Sequence, residues 1–409
     1  MREKDKRSSS EPVRKEHILL GLTVAASLVL LIYIFTDSGW GQLFGPLETL
    51  LQISASKIRL LYLFWTIGYL PGALVGGILL DHYGPRIVFF GAALFVLVGL
   101  SLFLLYLLRP GLAPFLLLLL FPGIAGIGGG VIEVSSNGLI SSAYSDRRGM
   151  MLNLLNALYP LGAMFLALLD AGLFVFFHNN PLPALLFTIG FSALAMISIV
   201  AVPKTYRIKN CPETMRGKLE NIPTLLPVLA PVMLVMMLTT GMDTSLHTWS
   251  PSYLQLAFHE QADLTAVLTA VIWATAAGSR IGSAWLITYI GSWKMVMLSM
   301  VVSLLGLLLL LFSANSIIAT GAIALSSLGL APTFSTLLTI GGERTERTAG
   351  SVTGLLLFAS GLFTIGCSWF FGFLLGTLGV FWPILFCLLL VCVGLITGWH
   401  LRSTQAAKS

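Results

Sequence analysis

The chain has 409 residues, of which 56% are hydrophobic and only 10% are charged, and its mean hydropathy is +0.92. A water-soluble protein of this length carries far more charge on its surface. The composition therefore excludes a soluble globular protein, and the net charge of +6 is no sign of nucleic-acid binding. It predicts a multi-pass membrane protein, surrounded by lipid, whose basic residues mark the cytoplasmic loops.

Apolar runs of about 20 residues, each long enough to cross a bilayer as a helix, recur along nearly the whole chain. Glycine, proline and charged clusters separate them into twelve predicted spans, an even number that leaves both termini on one side. The predicted spans are 18–44, 60–80, 87–108, 113–142, 150–177, 184–203, 223–245, 263–288, 295–313, 317–341, 349–375 and 382–400.

Positive charge tests the orientation of these spans, because cytoplasmic loops collect Lys and Arg. Of the 23 Lys and Arg residues, only Lys57, Arg59 and Arg109 fall in predicted outer loops, and Arg280 falls within a span. All the others lie in segments predicted to be cytoplasmic. The distribution supports the number of spans and places both termini in the cytoplasm.

The fold class predicted is an all-α membrane protein with 12 transmembrane helices in two pseudo-symmetric six-helix halves. The predicted segments are a disordered cytoplasmic tail at 1–17, the halves at 18–203 and 223–400, a cytoplasmic linker at 204–222 and a second tail at 401–409.

An internal repeat supports the two halves. Asp37 and Asp243 lie 206 residues apart, and the same offset relates Gly72 to Gly278 and Gly76 to Gly282.

The turn between helices two and three, "GGILLDHYGPR" (76–86), resembles a motif of the major facilitator superfamily. The residues in register are Gly77, Asp81, Gly84 and Arg86. Small residues let helices approach closely, and Asp81 stands near the start of helix three, where the helix dipole favours an anion. The resemblance implies a cytoplasmic gate that pairs by charge with helix eleven. The alternative is an ordinary polar turn.

Helix four contains Glu133 within "GIGGGVIEVSSNGLI" (126–140). An acidic or basic residue at the centre of a membrane helix costs roughly 2.5–3.5 kcal/mol, so a functional role is the default interpretation. A carboxylate removed from water favours its protonated form, which suits a proton carrier. Arg280 on helix eight lies at a comparable depth, so a state-dependent pair of Glu133 with Arg280 is predicted, with Arg280 as a gating residue. A static structural salt bridge between the two is the alternative. The glycines resemble a dinucleotide loop, but no strand precedes them, so they indicate helix packing.

Other polar and aromatic side chains in the spans could bind a hydroxylated solute by hydrogen bonds and ring stacking. The candidates are Asp37, Trp40, Gln42, Asn137, Asn153, Asn156, Asp243, His247, Trp249, Tyr253 and Trp273. Asn residues are also common as interhelical hydrogen-bonding groups, and Trp and Tyr as interfacial anchors. Asp37 and Asp243 could instead be gate residues. Asp170 is interpreted as a polar group near a helix end.

Within the superfamily the chain resembles the fucose permease branch of sugar–proton symporters. The segments that match are "GGGVIEVSSNGL", "LNLLNALYPLGA", "GMDTSLHTWSPSYL", "SRIGSAWLITYI" and, more loosely, "GLAPTFSTL". The resemblance implies that Glu133 takes up the coupling proton, with Asn137 and Asn153 at family positions. It departs on helix one, where the family carboxylate corresponds to Gln42 and Asp37 lies earlier.

The predicted function is secondary active transport of a small polar solute, of the sugar class, coupled to protons by alternating access. Sodium is the alternative coupling ion. The alternatives in function are an exporter of lipids or hydrophobic drugs, a non-transporting membrane sensor, and an intramembrane enzyme. The sequence contains neither a nucleophile with a base nor a phosphate-binding loop. The prediction is a monomeric non-enzyme without cofactor or metal.

Overall fold

In a computed structural model of the protein, residues 2–109, 114–202, 222–260, 262–345 and 349–406 are described. Within these ranges the chain forms α-helices joined by short turns. The helices are α1 (Arg2–Leu51), α2 (Ala55–Tyr83), α3 (Pro85–Leu108), α4 (Phe115–Ala143), α5 (Arg148–Phe176), α6 (Leu182–Ala195), α7 (Ile222–Phe258), α8 (Ala262–Ile290), α9 (Ser292–Leu311), α10 (Ser316–Arg344), α11 (Ala349–Thr377) and α12 (Phe381–Ala406).

The predicted fold class, an all-α membrane protein, is confirmed. The described ranges hold twelve α-helices and no strand. Eleven of these helices are long and apolar enough to cross a membrane. The remaining one, α8, has 29 residues and includes the charged Arg280.

Three helices extend beyond at least one end of their predicted spans by six residues or more. The helix α1 begins at Arg2, so residues predicted to form a disordered tail continue a helix, and α12 continues to Ala406. The helix α7, predicted to end at 245, runs through Pro251 to Phe258. Prolines are tolerated in membrane helices because neighbouring helices satisfy the freed backbone groups. The predicted linker at 204–222 lies almost entirely outside the described residues.

Large apolar side chains cover much of the outer surface of these helices. Leu168 is 70% exposed, Val175 83% and Phe312 82%. Such faces are unfavourable in water and suit the hydrocarbon of a bilayer.

The chain divides into two compact units that do not follow the chain order strictly. Unit 1 comprises Met1–Ser145, Phe165–Leu219 and Arg347–Gly354, and unit 2 comprises Asp146–Met164, Glu220–Glu346 and Leu355–Ser409. The helices α5 and α11 therefore each contribute to both units.

In unit 1, glycines bring α2 and α4 into backbone contact. A Cβ atom on Gly72 would overlap the carbonyl oxygen of Ile127, and one on Gly130 would overlap Tyr69 and Ala73. A side chain at either of these two glycines would force α2 and α4 apart. The glycine run of α4 is thus confirmed as a packing surface.

The crossing predicts different effects for two glycine substitutions. Gly130→Ala is expected to destabilise the protein by roughly 1–3 kcal/mol, because the new methyl group must push α2 away. Gly172→Ala on α5 is the control, since Gly172 is exposed and a Cβ there meets nothing within 4 Å. It should be neutral or stabilising by up to roughly 1 kcal/mol. Thermal unfolding in detergent measures both, and equal effects would contradict the packing argument.

In unit 2, the contacts of unit 1 recur at equivalent positions. A Cβ on Gly99 of α3 would press on Phe121 and Ala125 of α4, and one on Gly306 of α9 would press on Ala322 and Ser326 of α10. Gly306 follows Gly99 by 207 residues, whereas Ser326 follows Ala125 by 201. The helix α9 has 20 residues against 24 in α3, which accounts for most of this difference.

The same register relates α2 to α8. Gly72, which lies against the carbonyl oxygen of Ile127, corresponds at 207 residues to Ser279, whose Oγ donates to the carbonyl oxygen of Leu328. The helix contacts thus show that equivalent residues of α2 and α8 lie 207 residues apart in the sequence, whereas the predicted offset was 206. Gly278, predicted to match Gly72, has open space around it.

Candidate functional site

Glu133 lies in the interior of unit 1, where α2 and α4 cross. Its side chain is 8% exposed, and the Tyr69 hydroxyl donates a hydrogen bond to Glu133 Oε2 at 2.6 Å. Gly130, which lies one turn before Glu133, allows the backbone at Tyr69 to approach α4. The glycines preceding Glu133 therefore position its hydrogen-bond partner.

A second carboxylate of unit 1, that of Asp37, lies in a group of aromatic side chains that includes Tyr69. Trp65 Nε1 donates to Asp37 Oδ1 at 3.0 Å, and Trp65 also lies against Gly129, next to Tyr33. Tyr33 in turn stacks on Tyr69, with ring centroids 5.9 Å apart. We call Tyr33, Asp37, Trp65, Tyr69 and Glu133 the carboxylate–aromatic cluster.

Sequence analysis missed the three aromatic members of this cluster. A signal was present, since Trp65 and Tyr69 stand four residues apart, and so do Tyr33 and Asp37. Residues at this spacing share one face of a helix. An aromatic residue that carries a hydrogen-bond donor, four residues from another such residue or from a carboxylate, is a signal that could have identified these positions.

The three predicted asparagines use their amide nitrogens within their own helices. Asn137 Nδ2 donates to the carbonyl oxygen of Glu133 at 3.0 Å, Asn153 to that of Gly149 at 2.9 Å, and Asn156 to that of Leu152 at 2.8 Å. All three are buried. Asn153 Oδ1 has no partner among the residues that the structure describes.

Unit 2 brings together three predicted substrate ligands. His247 stacks on Trp273 with ring centroids 4.1 Å apart, and its Nε2 lies 3.5 Å from Asp243 Oδ1. The same nitrogen is 2.9 Å from Ser327 Oγ on α10. Tyr159 of α5 lies beside Trp273 at 6.3 Å. We call these five residues the histidine cluster.

Ser327 and Tyr159 were not predicted. Neither residue stands out in the sequence, because Ser and Tyr are common in membrane helices.

Arg280 points to backbone oxygens of unit 2. Its Nη1 donates to the carbonyl oxygen of Asn156 at 2.6 Å and its Nε to that of Ala331 at 2.9 Å. These bonds join α8 to α5 and α10. The state-dependent pair of Glu133 and Arg280 stays a prediction.

The other four predicted ligands lie outside both clusters. Trp40 is buried edge-on against Phe103. Trp249 Nε1 donates to the carbonyl oxygen of Ser368, and Gly372 leaves space for its ring. Buried polar atoms of Gln42 and Trp40 have no partner in the described part of the chain. Tyr253 is 5% exposed and contacts Phe258.

The predicted gate residues form a contact between α2 and the beginning of α11. The Asp81 carboxylate accepts hydrogen bonds from the backbone N–H groups of Gly350 and Ser351 at 3.0 and 2.8 Å, and from Ser351 Oγ at 2.7 Å. A Cβ on Gly77 would overlap the carbonyl oxygen of Gly350. Asp81 thus meets the dipole of α11, whereas the sequence suggested that of helix three.

The remaining members of the motif shape its turn. Gly84 has φ of +80°, a conformation that other residues rarely adopt. Arg86 Nη1 donates to the carbonyl oxygen of Val202 at 3.2 Å. Arg86 therefore attaches the start of α3 to the end of the sixth span.

Metal ligands are not grouped in the part of the chain that the structure describes: three or more His, Cys, Asp or Glu side chains placed to hold one ion are not found there.

A sequence family described as the Major Facilitator Superfamily matches residues 18–366. No curated protein sequence is matched. Three solved structures illustrate the structural similarity, and each is 13–16% identical to this chain, which shows a shared fold only. The proton:xylose symporter XylE, bound to 6-bromo-6-deoxy-D-glucose, has a TM-score of 0.77 and 13% identity, covering 94% of this chain and 96% of its own.

FucP, an E. coli fucose:proton symporter, has a TM-score of 0.77 in its outward conformation. It is 14% identical, with coverage of 94% of this chain and 99% of its own. The human organic anion transporter MFSD10 has a TM-score of 0.74 and 16% identity, with coverage of 94% and 99% respectively.

Proposed function

Because the chain belongs to the major facilitator superfamily, we propose that it is a secondary active transporter of a small polar solute of the sugar class. In this proposal the solute crosses by alternating access together with a proton, and Glu133 takes up and releases that proton. Sodium is the alternative coupling ion.

The observation that carries the proposal is the buried Glu133 with its hydrogen bond from Tyr69. Placing a carboxyl group within a membrane span is energetically costly, so a functional role is its default interpretation. The Tyr69 hydroxyl orients the carboxyl through a hydrogen bond that both the ionised and the protonated form can accept. Such a group is suited to change its protonation state during a transport cycle.

The histidine cluster supports a hydroxylated solute. Trp273 and Tyr159 offer aromatic surface, on which the apolar face of a sugar ring can pack. Asp243, His247 and Ser327 supply both donors and acceptors for hydroxyl groups. The structurally similar symporters of xylose and fucose are consistent with this solute class, although their similarity concerns the fold.

We further propose that the protein acts as a monomer in the cell membrane, with both termini in the cytoplasm and no nucleic-acid partner. The distribution of Lys and Arg supports this orientation.

Reconstitution in liposomes that contain a pH-sensitive dye tests the proposal. Addition of a sugar that is a substrate should move protons across the membrane with the solute, and empty liposomes are the control. The expected result is proton movement with one or a few sugars from a panel of hexoses and pentoses.

The other functional classes give different results. Competition by a lipid or a hydrophobic cation, without an effect of any sugar, would support an exporter. Ligand binding without flux would support a sensor, and either result would overturn the proposal.

A further inference from the structure

Asp170 lies within unit 1 and is not a member of the carboxylate–aromatic cluster. It stands on α5, six residues before Phe176, and its side chain is 2% exposed. Its Oδ1 has no hydrogen-bond partner among the described residues. The expectation of an ordinary polar group near a helix end therefore does not describe its surroundings.

A cavity of about 20 Å³ adjoins Asp170 between α1, α3, α5 and α6. Its other polar linings are Thr36, Trp40 and Thr188, and the remaining lining residues are apolar or glycine. Trp40 Nε1, a donor, is likewise without a partner in the described chain. A site for one water molecule needs roughly 10–15 Å³ and 2–4 polar partners, and both requirements are met here.

The two threonines retain acceptor capacity toward the cavity. Thr36 Oγ1 donates to the carbonyl oxygen of Ile32 at 2.7 Å, and Thr188 Oγ1 to that of Ala184 at 3.2 Å. Each hydroxyl proton is thus used within its own helix, while the oxygen lone pairs remain.

An ionised carboxylate in this place would lack compensation. Among the residues that line the cavity from α1, α3 and α6, no other carries a titratable side chain. Asp37, which follows Thr36 on α1, accepts a hydrogen bond from Trp65. Burying an unpaired charge costs several kcal/mol, and a group in this position neutralises instead.

We propose that Asp170 carries a proton and, with Trp40, holds one water molecule in this cavity, as a second protonation site separate from Glu133. The water accepts a hydrogen bond from Trp40 Nε1 and donates to Asp170 Oδ1 and to a threonine oxygen. The indole N–H favours water over a metal cation, because a donor would face the positive charge. The proposal does not depend on the transported solute.

Infrared spectroscopy of the purified protein tests the proposal directly. The carbonyl stretch of a protonated carboxylic acid is expected at neutral pH in the wild type and in Glu133→Gln, and its Asp170 component should vanish in Asp170→Asn. Trp40→Phe should shift the band, because the water loses its donor. Labelling aspartate with ¹³C should shift the carbonyl band in the unmutated protein. This measurement tests the proposal even if Asp170→Asn does not fold. A band unaffected by Asp170→Asn and by the label would overturn the proposal.

Thermal unfolding as a function of pH provides a second readout. Above about pH 4, where an unfolded aspartate is ionised, and for as long as folded Asp170 keeps its proton, unfolding releases that proton. In this range the ratio of unfolded to folded protein should rise about tenfold per pH unit in the wild type relative to Asp170→Asn. The exposed Asp146→Asn is the control and should keep the wild-type dependence. Equal pH dependence in wild type and Asp170→Asn would overturn the proposal. Stabilisation by sodium at constant pH that is lost in Asp170→Asn would also overturn the proposal, because it would show that Asp170 binds sodium instead of a proton.

Discussion

Glu133→Gln is expected to abolish solute accumulation driven by a pH gradient while leaving solute exchange intact. Gln has the same shape and can still accept the hydrogen bond from Tyr69, but it cannot bind a transferable proton. A gradient of one pH unit stores about 1.4 kcal/mol per proton, so wild-type protein can accumulate solute up to about tenfold at one proton per solute. The variant should accumulate none. Radiolabelled uptake into liposomes, with and without the gradient, measures the difference.

Tyr69→Phe is the matched control for this experiment. It keeps the Glu133 carboxyl and the aromatic ring that stacks on Tyr33, and removes only the hydroxyl donor. Accumulation should persist in this variant. Full pH-driven accumulation by Glu133→Gln would contradict the role of Glu133 as proton carrier and would leave it a structural partner.

Asp81→Asn is expected to slow transport by about tenfold or more. The carboxylate accepts three hydrogen bonds at the start of α11, whereas Asn offers one oxygen and turns an NH₂ group toward backbone donors. Hydrogen bonds to charged groups contribute roughly 1.5–3 kcal/mol each, and a helix N-terminus that loses its acceptor is left with unsatisfied N–H groups. Initial rates of solute exchange, normalised to the amount of folded protein, measure the effect.

Two variants show whether this effect belongs to the contact with α11. Ser351→Ala removes one of the three hydrogen bonds and should slow transport less than Asp81→Asn does. Asp146→Asn changes an exposed carboxylate and should leave the rate unchanged. An unaltered rate in Asp81→Asn would show that the gate does not depend on this contact.

The two clusters differ in ways that suit different tasks. The carboxylate–aromatic cluster has two carboxylates and donors from Trp65 and Tyr69, which can orient a carboxyl group without neutralising it. The histidine cluster combines one carboxylate with an imidazole stacked on an indole. Proton coupling in the first and solute recognition in the second is the division of roles that we propose.

The repeat illustrates a limit of sequence patterns in membrane helices. Glycines are frequent in these segments, and Gly72 and Gly76 match Gly278 and Gly282 at an offset of 206 although the helix contacts follow 207. The backbone crossings of Gly72, Gly99 and Gly306 distinguish the two registers, since only specific positions can lie at a crossing. This information exists only once the helices are packed.

The sequence by itself determined the membrane class and the number of helices, and singled out Glu133 and Asp81 as polar groups in unusual surroundings. These features depend on hydrophobicity along one segment, which each segment carries independently of the others. Only the tertiary structure decided that Tyr69 contacts Glu133, that Asp81 contacts α11, and that Asp170 faces a buried cavity rather than bulk solvent. Such contacts depend on the angle and register at which helices cross, and residues far apart in the chain set those together.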